Sequence, residues 1–431
     1  MPSAPPLAWA DLAGARVGVW GVGVEGRATL DRLADLGVTP AAVVDDRPAD
    51  DSVVATHAGG IEALLTCEVV IKAPGISRYG DDARTLTDGG VRLVGGLGLW
   101  LEEVGPDRVI GVTGTKGKST TVAVAGHLAT NLGVRAQVGG NLGVVPWARN
   151  TPRDVDLWVI EVSSYQATDL WSSPAVAAVT SLHADHLNWH GDVATYEADK
   201  LSLCGRPGGR IVVANGDDER LRARAELLVP GPRWVHEADD PGWTGPLGLR
   251  GRHNVRNALI AAACLAEMGV PGADDPERLA PAAAGYEPLP HRLQTVAVID
   301  GVEYVDDSLS TNVLPTIAAA EVFDGRPLGL LVGGFDRDID YAPLAEYVAH
   351  RPDPTVVLTL PQNGDRIAAA MATEGVHAVR CADIPTAVQE AHTRVPEGGV
   401  VLLSPAAASY GLYASYKERG EAFAAAVRAL A

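Results

Sequence analysis

The chain has 431 residues, 47% of them apolar and 21% charged, which is material for two or three folded cores and excludes a disordered chain. A formal net charge of −19 with no basic run excludes a broad nucleic-acid-binding surface, so an anionic ligand must be held by a local device. Four scattered cysteines lack metal or disulfide spacing, and no window offers the roughly 18 uninterrupted apolar residues of a membrane span; buried thiols, a reducing cytoplasm and no membrane partner are expected.

The first predicted strand, 16–20, runs into the glycine turn Gly21-Val22-Gly23-Val24-Glu25-Gly26, a helix to about residue 36 and a strand ending at Asp45. Strands near 69–71 and 91–94 complete a small α/β unit. Its Gly-x-Gly-x-x-Gly turn also suits a nicotinamide dinucleotide, so by itself it leaves the ligand open. A second region begins with a strand at 109–112, enters a helix at 118–131, continues with strands near 157–160 and 177–182, and closes after an alanine-rich helix at 254–268. Within it, 230–248 is rich in Pro and Gly and reads as a surface excursion. The last region alternates strands near 302–305, 328–332, 355–360 and 400–403 with helices. The expected fold class is α/β with three domains: an N-terminal Rossmann-like unit (1–97), a central P-loop ATPase unit (98–288) and a C-terminal Rossmann-like unit (289–431).

The densest chemistry lies in Gly111-Val-Thr-Gly-Thr-Lys-Gly-Lys-Ser-Thr120, between a strand and a helix. Backbone N–H groups and a helix N-terminus cradle phosphates in that context, with Lys118 reaching the terminal phosphates and Ser119 ligating magnesium. The spacing departs from the strict P-loop pattern, since five residues separate Gly111 from Gly117-Lys118. Glu161 follows the strand 157–160 and can reach a phosphate-bound magnesium there, or cap a helix. The next strand leads into Ser181-Leu-His-Ala-Asp-His186, in which His183 and Asp185 shape a turn and His186 is the better ligand candidate. Lys200 is one of only five lysines in the chain, with Lys72, Lys116, Lys118 and Lys417; it sits either on a solvated face or where an amine is required that arginine cannot replace.

Four features in order, Thr-Gly-Thr-x-Gly-Lys-Ser-Thr, Glu-x-Ser-Ser-Tyr-Gln, Asp-His followed by a lysine, and His-Asn-x-x-Asn, resemble the Mur ligases of peptidoglycan precursor synthesis, their MurD branch above all, and more distantly the folylpolyglutamate synthetases. The resemblance covers nearly the whole chain. It implies a cytoplasmic, monomeric ligase that uses ATP and Mg2+ to make a carboxylate electrophilic as an acyl phosphate, which an amino acid then attacks. Gly114, Thr115, Lys116, Gly117, Lys118, Ser119 and Thr120 would hold the ATP phosphates, and Glu161, His186 and Lys200 would join Ser119 around magnesium. Lys200 matches a lysine that the family carbamylates. Asn254 and Asn257 match asparagines that hold adenine, though helix capping is an alternative role. Arg292 and Asp307 would reach the γ-phosphate and ribose.

The same resemblance places UDP-N-acetylmuramoyl-L-alanine on Val24, Glu25, Asp45, Asp46, Arg47, Gly75, Asn141, Ser163 and Gln166, and glutamate near Thr311, Arg337, Ser409 and Tyr416. The glutamate side departs from the usual D-glutamate pattern: Leu309 replaces a lysine, Arg337 a second lysine, Tyr416 a phenylalanine, and Tyr410-Gly411 a Leu-Asp pair. Lys116 stands where most relatives carry asparagine. Departures confined to one side of the reaction fit a variant that adds L-glutamate, with D-glutamate as the alternative. A folylpolyglutamate synthetase would lack the roughly 100 residues before Gly111, a nicotinamide oxidoreductase would leave the second glycine loop unexplained, and a non-catalytic nucleotide switch would have no use for Glu161, His186 and Lys200.

Overall fold

The computed structural model describes residues 5–48, 50–140 and 144–430. The first sheet contains β1 (Val17–Trp20), β2 (Ala42–Asp45), β3 (Val54–Ala55), β4 (Val69–Lys72) and β5 (Arg92–Gly95), all parallel, in the order β3-β2-β1-β4-β5. The second contains β6 (Val109–Thr113), β7 (Ala136–Gly140), β8 (Leu157–Glu161), β9 (Val176–Val179), β10 (Ile211–Asn215) and β11 (Pro232–Val235), also parallel, in the order β11-β10-β9-β6-β8-β7. Strands such as Val-Ile-Gly-Val-Thr in β6 are continuous apolar runs because a parallel sheet is covered on both faces. Chain order reverses at β1 in the first sheet and at β6 in the second, which opens a crevice at the carboxyl end of each.

The third sheet contains β12 (Gln294–Ile299), β13 (Val302–Asp306), β14 (Leu328–Val332), β15 (Thr355–Thr359), β16 (Ala378–Arg380) and β17 (Val400–Leu403), in the order β12-β13-β17-β14-β15-β16. Its edge strand β12 is antiparallel to β13 and all other pairings are parallel.

The chain forms two compact units: Met1–Leu247 with Val255–Tyr286, which holds the first two sheets, and Gly248–Asn254 with Glu287–Ala431, which holds the third. One apolar cluster underlies both sheets of the first unit. Trp9 lies 6.0 Å from Trp147 and Trp100 packs edge-on at 5.0 Å against Trp158, so residue 97 falls inside a shared core, in the helix Gly96–Val104.

The expected surface excursion at 230–248 needs correction. Pro232–Val235 forms the edge strand β11, and Trp243 and Leu247 are buried. Proline is tolerated there because the first residue of an edge strand needs no donor on its open side. All four cysteines are buried and free. Among the described residues, no helix is long and apolar enough to cross a membrane.

Candidate active site

The phosphate loop hangs between β6 and the helix Lys118–Asn131. Two of its residues must be glycine. Gly114 has φ +142° and a Cβ there would meet Thr180 Oγ1 at 2.1 Å; Gly117 has φ +88° and a Cβ would meet Asn257 Oδ1 at 2.5 Å. Asn257 thus presses on the loop from the helix Arg252–Glu267. The loop is tied to the turn after β9: Thr115 N donates to Ser181 O at 2.9 Å, Thr115 Oγ1 donates to His183 O at 2.9 Å, and Lys116 N donates to Ser181 Oγ at 2.9 Å. Lys118 Nζ donates to Gly114 O at 2.8 Å and Thr115 O at 3.1 Å, folding the ammonium over the loop. Ser119 and Thr120 are buried at the helix start.

Glu161 ends β8, paired beside Val112 of β6, and is 2% exposed. His186 begins the short helix Leu187–His190 with φ +53°; burial, partly offset by Asp185, pushes its ring down to about 4, so it is a neutral nitrogen donor near pH 7. Lys200 lies in the helix Val193–Leu201, fully buried, with Nζ donating to Gly114 O at 3.1 Å. Burial first, and then the charge of Lys118, drive its amine well below the ordinary lysine range. A solvated Lys200 is therefore ruled out. Among the described residues no group of three His, Cys, Asp or Glu could hold a metal. Glu161, His186 and Ser119 offer a cation one carboxylate, one imidazole and one hydroxyl, and the Asp185 carboxylate lies 3.7 Å from His186.

At the first crevice, Gly26 is required because a Cβ would lie 1.9 Å from Gly21 O, where helix Val24–Asp35 crosses the strand end. Asp45 braces this turn: Oδ2 accepts from Val22 N at 2.6 Å and Oδ1 from Arg47 N at 2.8 Å. Asp46 accepts from Thr56 Oγ1 at 2.6 Å. Val24 and Arg47 are exposed. Glu25 accepts from Gln166 Nε2 at 2.7 Å, and burial raises its carboxyl to about 7. Ser163 caps the short helix Ser164–Ala167 and donates to Gln166 Oε1 at 3.0 Å. Gly75 O accepts from Trp189 Nε1 at 3.2 Å. Asn141 lies outside the described residues. Lys72, which like Lys417 had no expected role, forms a buried ion pair with Asp169 at 2.6 Å.

In the second unit Asp307 is buried, with Oδ2 accepting from Ser310 Oγ at 2.6 Å and Ser404 Oγ at 2.8 Å, and burial raises its carboxyl to about 6. Arg292 and Thr311 are half-buried on either side of the Asp307 turn in sequence. Asn254 Nδ2 donates to Arg250 O at 2.7 Å. Ser409 is buried, and Tyr416 starts the helix Tyr416–Arg428 with its ring edge-on to His291 at 5.9 Å. Gly333-Gly-Phe335 is tied to this segment through Phe335 N, which donates to Ala408 O at 2.8 Å, and the Arg337 guanidinium lies 5.6 Å from the Tyr410 ring. Arg419 was not singled out by sequence. It is 1% exposed and donates to Ser308 Oγ, Ser308 O and Ala407 O at 3.0, 2.8 and 3.0 Å, joining the Asp-Ser turn to the Ser-Pro-Ala loop. An arginine in an amphipathic helix carries no mark of burial in sequence alone.

A glycine loop with a lysine folded over it, a strand-end carboxylate beside it and a second, buried lysine on the same loop define an enzyme that spends ATP to activate a group for transfer. Two family models match the chain, the Mur ligase middle domain over residues 112–231 and the Mur ligase, glutamate ligase domain over 291–407. UDP-N-acetylmuramoyl-L-alanine--L-glutamate ligase of a Micromonospora species is 39% identical, over 97% of each chain. The ligase of the same name from Salinispora tropica is 38% identical, over 97% of this chain and 98% of that one. MurF ligase from Thermotoga maritima, solved in complex with ADP, shares the fold with a TM-score of 0.56 at 16% identity, over 99% of each chain. The chain belongs to the Mur ligase family, and it is an ATP-dependent ligase that forms a C–N bond to an amino acid in peptidoglycan precursor synthesis.

Proposed function

We propose that this enzyme joins L-glutamate to the alanyl carboxyl group of UDP-N-acetylmuramoyl-L-alanine, in the cytoplasm, as a monomer, using ATP with Mg2+. The L-specific reading is carried by full-length similarity to relatives whose names specify L-glutamate. It is supported by the glutamate side of the second unit, where Leu309 offers no cation and Arg337 lies against Tyr410. The division into domains 1–97, 98–288 and 289–431 is retained, with the nucleotide-linked substrate on the first, ATP on the second and the amino acid on the third.

The obstacle to the reaction is repulsion between a carboxylate and the triphosphate it must attack. Lys118 and the N-terminus of the helix Lys118–Asn131 offset that charge, and the loop's fixed geometry means little reorganisation is needed. The carboxylate oxygen bonds to the γ-phosphorus as ADP leaves. The glutamate amine then attacks the acyl carbon, loses a proton and expels phosphate. Ser119, Glu161, His186 and a carbamylated Lys200 would hold the magnesium, whose contribution when bound is to neutralise phosphate oxygens. Lys200 suits that modification: burial disfavours its charged form, and the neutral amine can add CO2, with loss of one proton, to give a carbamate. Arg337 and the Ser409 segment would orient glutamate.

Purified enzyme with ATP, Mg2+, the UDP-muramoyl-alanine substrate and one glutamate enantiomer at a time tests the reading, by phosphate release and product mass. Turnover with L-glutamate is expected. Turnover with D-glutamate alone ends the L-specific reading, and turnover with neither ends the substrate assignment.

A further inference from the structure

A four-residue hydrogen-bond relay runs through the first unit. Tyr79 OH donates to Asp199 Oδ1 at 2.7 Å, Asp199 Oδ2 faces His190 Nδ1 at 2.6 Å, and His190 Nε2 faces Ser164 Oγ at 2.9 Å. The order Ser-His-Asp invites comparison with a hydrolytic triad, but Ser164 and His190 are each 3% exposed, and no acyl group can approach Oγ. The relay is an internal tie.

What it ties together is specific. Ser164 lies three residues after Glu161, His190 four after His186, and Asp199 immediately before Lys200, so three of the four candidate magnesium residues, all but Ser119, stand close in sequence to one member. At the far end, Tyr79 lies four residues after Gly75, in the turn that Gly80 N closes on Ser77 O. A second set of contacts runs in parallel: Trp189 Nε1 donates to Gly75 O at 3.2 Å and Ser77 Oγ donates to Trp189 O at 3.0 Å. Tyr165 stacks on Trp189 at 4.7 Å and on His190 at 5.6 Å, and Tyr79 meets Trp189 edge-on at 5.7 Å. The 75–79 segment is thus hydrogen-bonded both to the helix Leu187–His190, which His186 precedes, and to the helix Val193–Leu201, which carries Lys200.

We infer that His190 is a positioning residue through which occupancy of the 75–79 turn by the nucleotide-linked substrate sets the arrangement of Glu161, His186 and Lys200 at the ATP site. The inference rests on the substrate assignment above. Binding at one site then changes affinity at the other, and the change is reciprocal.

The test compares parental enzyme with Tyr79→Phe, which removes one hydroxyl at the relay's input, and with His190→Phe and His190→Gln. The affinity for the ATP analogue AMP-PNP with Mg2+ is measured by calorimetry with and without UDP-N-acetylmuramoyl-L-alanine, and kcat and KM are measured in parallel. Tyr79→Phe is expected to bind AMP-PNP alone within about twofold of parental, to lose the substrate-induced tightening by about fivefold or more, and to lower kcat with a raised KM for ATP at saturating UDP substrate. His190→Gln, which can still meet Ser164, is expected to recover part of what His190→Phe loses. Parental coupling and kcat in Tyr79→Phe overturn the inference, whether or not His190→Phe folds. If parental enzyme itself does not use the UDP substrate, it is the substrate assignment that has failed.

Discussion

Lys118 and Lys200 converge on a single backbone oxygen: both Nζ atoms donate to Gly114 O, at 2.8 and 3.1 Å. One lysine opens the helix after β6 and the other lies 82 positions further along the chain, so the phosphate loop is the point where the two lysines of the site are joined.

This shared acceptor separates the two roles. Lys118→Ala is expected to lower kcat by roughly 100-fold or more, because a positioned charge facing the triphosphate is lost. Lys200→Arg is expected to be as damaging although a long basic side chain is kept, since a guanidinium stays protonated and cannot become a carbamate. Steady-state phosphate release measures both. Near-parental activity of Lys200→Arg would exclude a modified lysine.

Glu25 predicts a pH dependence of stability. Its folded-state carboxyl titrates near 7 against an ordinary 4.5, raised mainly by burial. Below the ordinary value both states are protonated and nothing is lost. As pH climbs through 7 the folded state must ionise a buried group, so the stability conferred by the protonated form is lost, on the order of 3 kcal/mol at most. Glu25→Gln keeps an acceptor for Gln166 and is expected to raise Tm at pH 8 while changing it little at pH 4. Calorimetric scans at the two pH values decide it, and equal shifts at both would count against the burial argument.

Arg337 predicts a change confined to the amino acid. Arg337→Met is expected to raise KM for glutamate by about tenfold or more with KM for ATP within twofold, because a charged hydrogen bond to a carboxylate is worth about 1.5–3 kcal/mol. Titrating each substrate at saturating levels of the others measures it. A rise in the ATP constant alone would move Arg337 out of the glutamate pocket.

Arg419 predicts a loss of stability. Arg419→Met leaves Ser308 O, Ser308 Oγ and Ala407 O without their donor inside the third-sheet unit, and burial already pulls the guanidinium down to about 10. A cost of about 2–4 kcal/mol is expected in urea unfolding. Because the donor braces both the Asp307-Ser308 turn and the loop leading to Ser409, glutamate affinity should fall with it.

Local order was legible in the residues themselves. Apolar runs marked most parallel strands, glycines with no room for a Cβ marked the two nucleotide turns, and Lys118, Glu161 and Lys200 stood at strand and helix ends where their chemistry is usable. Periodicity and turn chemistry act over a few residues, which is why they survive in a bare sequence. The edge strands β11 and β12 did not show, since an edge is half-solvated and its pattern resembles a loop.

What only the tertiary structure decided depends on long-range approach. That Lys200 is buried against Gly114, that Lys72 pairs with Asp169, and that Tyr79, Asp199, His190 and Ser164 form one chain of hydrogen bonds are facts about residues 86, 97 and up to 120 positions apart. Burial sets whether an amine is charged and whether a serine is reachable, and burial is a property of the packed sheets rather than of any segment.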